Sequence, residues 1–259
     1  MCRKVGYLLW IVPLVIAGVT LGAPLDTDVT VEQINDAEQL GGHFEGDIVL
    51  DSNQKEILES KRTALVGSSY LWPNYIVYYS IVTADFTTAQ ITQIKTAMSA
   101  IMLVSCIKFV ERTTQTAYVS VQGQYTGCWS NLGHTGGQQF VNLQPNGCMV
   151  LGTIIHEFLH ALGFVHMQSA SDRDFYVKIN WAAIQSGKSH NFDRYDSTFI
   201  NDYGIPYDYN SVMHYRADSF TATGEDTIIP YESGVTIGQR AGLSFKDIKR
   251  INYLYPNCY

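Results

Sequence analysis

Short runs of β-branched and aromatic residues alternate with turn-forming residues from Trp72 onward, a pattern typical of strands. Between the first two runs, apolar residues recur at spacings of three and four over 87–104, which predicts an amphipathic helix. Two further helices are predicted at 152–162 and 244–254, and Ser244 with Asp247 forms a capping-box-like start for the last one. The predicted strands are 76–81, 107–110, 118–121 and 140–143.

These strands crowd the first part of the region, whereas the chain after residue 167 is mostly irregular and rich in tyrosine. We therefore predict an α+β fold, with a sheet and helices above and a looser lower half that ends in a helix. A length of 259 residues suggests one large domain plus something smaller. With 46% hydrophobic residues, the composition excludes a disordered chain.

The first residues have the organisation of an export signal. Two basic residues precede an uncharged run over 5–25, and small residues stand near its end. We predict a signal peptide over 1–22, cleaved near Gly22, and hence a secreted protein. A signal anchor is the competing interpretation, because the run approaches the ~20 apolar residues that span a bilayer. Pro13 and the polar segment that follows favour cleavage.

Charge is concentrated in the segment after this leader. The whole chain has a net charge of -7, from 17 basic and 24 acidic residues. Residues 23–62 alone carry ten acidic and three basic residues, again -7, so the rest of the chain is neutral overall. No cluster of basic residues is available to neutralise phosphates, so we expect no nucleic-acid partner.

Cysteine usage agrees with export. Without Cys2, which lies in the leader, four cysteines remain, and in an oxidising compartment they predict two disulfides with three possible pairings. The segment between Cys128 and Cys148 is rich in turn formers, so a local bridge there is our first choice. That choice leaves Cys106 to pair with Cys258, and free buried thiols are the alternative.

The decisive chemistry lies in an eleven-residue segment, 156–166, that reads HEFLHALGFVH. On a helix, His156 and His160 stand one above the other and present two imidazoles to one point. Glu157 lies close enough to take the proton of a water at that point. Gly163 lets the chain leave the helix and bring His166 back as a third ligand. Three nitrogens plus water form the open tetrahedral site of a catalytic zinc ion.

A lone HExxH motif also occurs in helices that bind nothing, but the added glycine and third histidine complete the metzincin pattern. Met213, in the segment 211–215, supplies the methionine turn that follows this pattern. On these residues the chain resembles the astacin family of secreted zinc endopeptidases. The resemblance covers almost the whole chain after residue 62 and also rests on 70–72, 106–112, 127–130, 152–155 and 172–174.

The resemblance implies a two-lobed catalytic domain over 63–259 with the cleft between the lobes. It implies one zinc ion, protein or peptide substrates, and the same two disulfides chosen above. It also implies that Tyr215 is an extra zinc ligand that swings out to stabilise the oxyanion of the transition state. Met213 is expected to pack beneath the zinc and not to bind it.

The acidic segment gains a function from the same resemblance. Residues 44–47, Phe-Glu-Gly-Asp, are similar to the FxGD motif of astacin pro-segments, whose aspartate takes the water position on zinc. Asp47 would then be the switch that keeps the zymogen inactive, with 23–62 as its inhibitory pro-segment. The alternative is an ordinary exposed acidic turn. The basic pair Lys61-Arg62 offers a site for an activating protease, which makes Thr63 the expected mature N-terminus.

Three positions depart from the family pattern. Met167 stands where astacins usually have a glutamate that contacts the new N-terminus, and Ala170 and His134 stand where arginine is common. These departures put that contact and some substrate subsites in doubt, but not the reaction. We expect a monomer without stable membrane association. The alternatives are a membrane-anchored sheddase and a non-catalytic secreted binding protein, and the complete catalytic motif disfavours the second.

Overall fold

A computed structural model describes the protein over residues 37–60, 68–195 and 204–256. The leader 1–22, the Lys61-Arg62 pair with Thr63, and Cys258 lie outside these ranges, so the expectations for them stay predictions. No helix in the described ranges is long and apolar enough to cross a membrane.

Six strands form one mixed sheet in the order β1-β5-β6-β4-β2-β3. The pair β5–β6 is antiparallel and the other neighbours are parallel. Four of these strands, β2, β3, β4 and β6, coincide with predicted strands, while β1 and β5 were not predicted. The strands are β1 Ile48–Val49, β2 Ile76–Ile81, β3 Lys108–Glu111, β4 Tyr118–Gln122, β5 Cys128–Asn131 and β6 Gln138–Leu143.

Four longer helices accompany the sheet in the described ranges: α1 Ser52–Ser60, α2 Thr88–Val104, α3 Leu151–Ala161 and α4 Phe245–Leu254. The last three match the predicted helices within one residue. The apolar face of α2 is buried through Ile94, Met98 and Ile101, as its periodicity indicates. At the start of α4, Ser244 and Asp247 form the predicted capping box.

Buried apolar residues form two large clusters, one for each lobe. The first joins the inner face of the sheet to α2 and α3. The second gathers residues 167–237 around a small antiparallel pair, β7 Val177–Ile179 and β8 Ile228–Pro230. The predicted α+β architecture with a looser second half is confirmed, and β7 and β8 are strands that the sequence pattern did not predict.

Residues 37–60 lie against both lobes. Strand β1 extends the sheet by pairing parallel to β5 at its edge. Ile48 of this strand and the following Leu50 pack on Leu132 in a separate, small apolar cluster. The first turn of α1 is capped by an exchange between Asp51 and Gln54, whose backbone N–H groups donate to each other's side chains at 3.0 and 2.7 Å. This segment is therefore an ordered part of the fold.

The disulfide between Cys128 and Cys148 is present, with a Cα–Cα distance of 5.7 Å, and the local pairing is confirmed. Cys106 is also disulfide-bonded, and its Sγ lies 4.0 Å from the carbonyl oxygen of Pro256. Because Cys258 lies outside the described residues, its pairing with Cys106 stays a prediction.

Candidate metal centre

Helix α3 is buried along almost its whole length and presents His156 and His160 on one face. It ends at Ala161, and two residues later Gly163 has a φ of +101°, a left-handed conformation that glycine adopts without strain. The N–H of Gly163 donates to His160 O at 2.8 Å and that of Phe164 to Leu159 O at 2.9 Å, which closes the C-terminal turn of the helix. This turn brings His166 back toward the helix, as the sequence predicts.

Four ligand atoms, from three histidines and one aspartate, converge at a single buried point. One atom each from Asp47, His156, His160 and His166 lies within 4.8 Å of all the others. Asp47 Oδ2 is 3.2 Å from the Nε2 atoms of both His156 and His166, and Asp47 Oδ1 is 3.4 Å from His160 Nε2. The structure therefore brings together all four residues that the sequence assigned to the metal.

The hydrogen bonds of the imidazoles show which nitrogen is free to bind a metal. Each ring donates its Nδ1 hydrogen to an oxygen acceptor at 2.7–2.8 Å, so in the neutral ring Nε2 carries a lone pair. The Nε2 atoms of His160 and His166 lie 3.0 and 3.2 Å from that of His156. Facing lone pairs repel unless a cation lies between them. The acceptors are Val212 O for His156, Phe164 O for His160 and Glu45 Oε2 for His166.

This donor set fits zinc. Neutral imidazole nitrogens and a carboxylate oxygen are ligands that Zn²⁺ prefers, and four of them complete a tetrahedral site. The outer hydrogen bonds to carbonyls and a carboxylate are the partners that orient metal-binding histidines. The same centre without Asp47 would leave one position open, as catalytic zinc sites do.

Protonation of the centre competes with metal binding. Burial lowers the pKa of His156 to about 4. Burial also lowers the pKa of His166, but the Asp47 and Glu45 carboxylates outweigh it and raise the value to about 9. Burial raises the pKa of Asp47, and His166 and His160 bring it well below its usual range. A metal ion at this centre must therefore compete with protonation of His166.

Glu157 lies beside this centre and is completely buried. Within the described ranges neither of its carboxylate oxygens has a hydrogen-bond partner. Burial raises the pKa of Glu157 well above its usual range, and the nearby Asp47 carboxylate adds to the increase. A buried carboxylate without partners needs a water or a cation beside it, and both fit a group that handles the proton of a water.

Two residues of the methionine turn contact the segment of the third histidine. The ring of Tyr215 lies 4.6 Å from that of His166, and its hydroxyl donates to the backbone oxygen of Glu45. Met213 is buried, and its carbonyl accepts the N–H of Met167 at 2.9 Å. The turn is thereby attached directly behind the third histidine.

Comparison with known proteins decides the family. The model of the Astacin peptidase family matches residues 65–256. The chain belongs to the astacin family. Its predicted membership and its activity as a zinc metalloendopeptidase are confirmed.

Relatives extend the match over most of the chain. High choriolytic enzyme 1 of Oryzias latipes is 40% identical over 230 residues, which cover 86% of this chain and 80% of that protein. Zinc metalloproteinase nas-4 of Caenorhabditis elegans is 36% identical over 232 residues, which cover 87% and 72%. A solved structure of High choriolytic enzyme 1, a hatching enzyme zinc-protease from medaka, matches with a TM-score of 0.66 and 42% identity over 76% of this chain and 95% of that one.

The three departures from the astacin pattern are accommodated by packing. Met167 and Ala170 are both buried in the apolar cluster of the lower lobe. The ring of His134 packs edge-on against Trp72, with 4.7 Å between centroids. Position 167 therefore contributes apolar surface to this cluster.

Two acidic residues in the segment 37–60 make buried contacts that sequence reasoning missed. Glu38 forms a two-point pair with Arg240, at 2.6 and 2.7 Å, and accepts a hydrogen bond from Thr153 at 2.8 Å. Glu45 contacts the outer nitrogen of His166 at 2.8 Å. Their partners lie more than 100 residues away in the sequence, so no local pattern could reveal them. The only sequence feature that distinguished these two glutamates was their position in the acidic segment.

Proposed function

We propose that this astacin is a secreted endopeptidase made as an inactive precursor, in which residues 23–62 are the inhibitory pro-segment. The observation that supports the proposal is the Asp47 carboxylate, which lies among the three histidine nitrogens at 3.2–3.4 Å. Asp47 takes the position that a water must occupy for hydrolysis. The Tyr215 hydroxyl is engaged by Glu45 at the same time.

The residues that would perform the reaction are already arranged around the centre. His156, His160 and His166 would hold the zinc ion, which when bound polarises the scissile carbonyl and makes a nearby water acidic. Glu157 then takes the proton of that water and delivers it to the leaving amine. Burial raises the pKa of this unpartnered carboxylate, which favours its holding the proton taken from the water. Tyr215, once released from Glu45, is a hydroxyl donor for the oxyanion of the transition state.

The role of Glu157 is tested by Glu157→Gln, which keeps the size of the side chain and removes the base. The processed variant should retain zinc, measured by atomic absorption, and lose at least ~100-fold in kcat, as expected for a missing general base. Glu225→Gln, an exposed change outside the residues that processing removes, is the control. Near-normal turnover by the zinc-loaded Glu157→Gln enzyme would refute the assignment.

The role of Asp47 is tested in the unprocessed chain. Asp47→Ala removes the carboxylate from the zinc position, so the full-length variant should cleave a peptide substrate without proteolytic processing. The assay compares this variant with the full-length wild type in the presence and absence of a chelator. A zinc-loaded but inert Asp47→Ala precursor would count against the inhibitory role.

Export and activation are further parts of the proposal. We propose cleavage of the leader near Gly22 and of the precursor after Lys61-Arg62, to give a monomeric enzyme that starts at Thr63 and acts on proteins or peptides. N-terminal sequencing of the exported protein before and after activation checks both bonds. A protein that keeps the 5–25 segment would be the membrane-anchored alternative instead.

A further inference from the structure

Glu45 occupies an unusual backbone position in the pro-segment. Its φ is +48°, and that of the following Gly46 is +93°, so two successive residues adopt left-handed conformations. Reciprocal backbone hydrogen bonds between His43 and Gly46, at 3.2 and 3.0 Å, close the turn. A side chain other than glycine is strained at such angles and stays there only where its surroundings hold it.

The contacts of Glu45 provide that hold. Its carboxylate accepts hydrogen bonds from His166 Nδ1 at 2.8 Å and from the Ser169 hydroxyl at 2.6 Å. The hydroxyl of Tyr195 donates to the same carboxylate, and that of Tyr215 donates to the Glu45 backbone oxygen. The side chain is completely buried. Glu45 therefore binds the zinc-binding region with both its side chain and its backbone.

The three histidines differ in where their outer partners come from. The Nδ1 groups of His156 and His160 donate to backbone oxygens of Val212 and Phe164, which lie in the catalytic domain. Among the three, His166 alone has an outer partner from the pro-segment. When the pro-segment leaves, two ligands keep their partners and the third loses its own.

On this asymmetry, and on the proposed precursor function, we infer that Glu45 is a positioning residue for His166 that makes the precursor retain zinc more firmly than the processed enzyme does. A carboxylate on the outer nitrogen orients the ring and increases the basicity of the metal-binding nitrogen. Loss of such outer partners lowers metal affinity by ~10- to 100-fold in other zinc proteins. The backbone oxygen of Glu45 also accepts the hydrogen bond of the Tyr215 hydroxyl. The turn at 43–46 therefore holds both the ligand His166 and the proposed oxyanion donor Tyr215.

The test measures zinc release from the full-length, zinc-loaded precursor into an excess of a chromophoric chelator. Glu45→Gln keeps the shape of the side chain but weakens its acceptance from His166, and it should accelerate release by ~10-fold or more. Glu38→Gln is the matched control, because Glu38 is another pro-segment carboxylate in a close ion pair but contacts no histidine ligand. Its release rate should stay within about twofold of the wild-type rate.

A second variant lies in the catalytic domain and keeps the inference testable if Glu45→Gln does not fold. Ser169→Ala removes one donor to Glu45. It should accelerate zinc release from the precursor but not from the processed enzyme, where Glu45 is gone. Since processing removes residue 45, the wild-type and Glu45→Gln precursors should yield processed enzymes with equal release rates.

Equal release rates for wild-type and Glu45→Gln precursors would overturn the inference, as would an equal acceleration by Glu38→Gln. The second result would mean that Glu45 acts only as one more anchor of the pro-segment. Failure of the proposed function would give different results. A wild-type precursor that binds no zinc would have no metal to release. A wild-type precursor that is fully active would show that the full-length chain is not an inactive precursor.

Discussion

The start of the zinc-binding helix contains a glycine whose replacement gives a sharp test of the packing. Gly152 lies in the first turn of α3 and donates its N–H to Arg240 O at 3.1 Å. A methyl group at this position would stand 2.5 Å from Arg240 Cα and closer still to its carbonyl group. Unbonded carbons normally lie ~3.5–4.0 Å apart, so the Arg240 backbone would have to retreat by about 1 Å.

Two effects of opposite sign compete in Gly152→Ala. Alanine is favoured over glycine within a helix by about 1 kcal/mol. Overpacking against a buried backbone costs about 1–3 kcal/mol or more. The obstacle here is the main chain of Arg240, whose side chain also pairs with Glu38. We expect the clash to dominate, with a net loss of about 2 kcal/mol in unfolding free energy. For a domain of this size that corresponds to a Tm lower by ~4–8 °C.

Thermal unfolding of the zinc-saturated full-length protein, followed by circular dichroism, measures this shift. Gly137→Ala is the matched control, because a methyl group there meets no atom within 4 Å and the backbone is not left-handed. Its Tm should stay within about 2 °C of the wild-type value, as for other surface changes. A Gly152→Ala precursor as stable as the wild type, or more stable, would refute the packing argument and show that helix propensity decides.

Two further predictions concern stability. Replacing Cys128 and Cys148 together by serine should lower the unfolding free energy by about 3 kcal/mol, because their 20-residue separation restricts the unfolded chain; an unchanged urea midpoint would contradict this. Burial lowers the pKa of His214 to about 4, below its unfolded value of about 6.5, so the unfolded state binds more protons between these values. The contribution of His214 is therefore complete above pH 6.5 and is lost toward pH 4. Relative to wild type, His214→Gln should reduce the loss of unfolding free energy between pH 7 and pH 4 by about 3 kcal/mol; equal pH dependence in urea titrations of both proteins would contradict the assignment.

Helices α2, α3 and α4 were predictable because each carries its own local signal, whereas α1 was not predicted. Periodic apolar residues mark α2, and the Ser244 capping box marks the start of α4. Strand β5 carries no such signal, since Cys128–Asn131 contains a single aromatic residue and no β-branched one. Its conformation is decided by pairing with β6 and by burial, which are properties of the assembled sheet.

The same distinction applies to the metal centre. The three histidines were predictable because they occupy one eleven-residue window whose helix and turn geometry is local. Asp47 lies 109 residues before His156 and was placed only through the family resemblance. Glu45 and Glu38 had no signal of their own, because a carboxylate in an acidic segment is ordinarily solvated. Their partners appear only when residues 37–60 are folded against both lobes.

If the proposed precursor function holds, strand β1 is part of an inhibitor that belongs to the molecule it inhibits. As part of the same chain, it meets the sheet edge at an effective concentration on the order of millimolar, however dilute the protein is. A single cut between the pro-segment and the catalytic domain would place the two pieces under ordinary mass action. At high concentration the cleaved pro-segment would then still bind and inhibit the catalytic domain. Dilution alone would complete the release of the pro-segment.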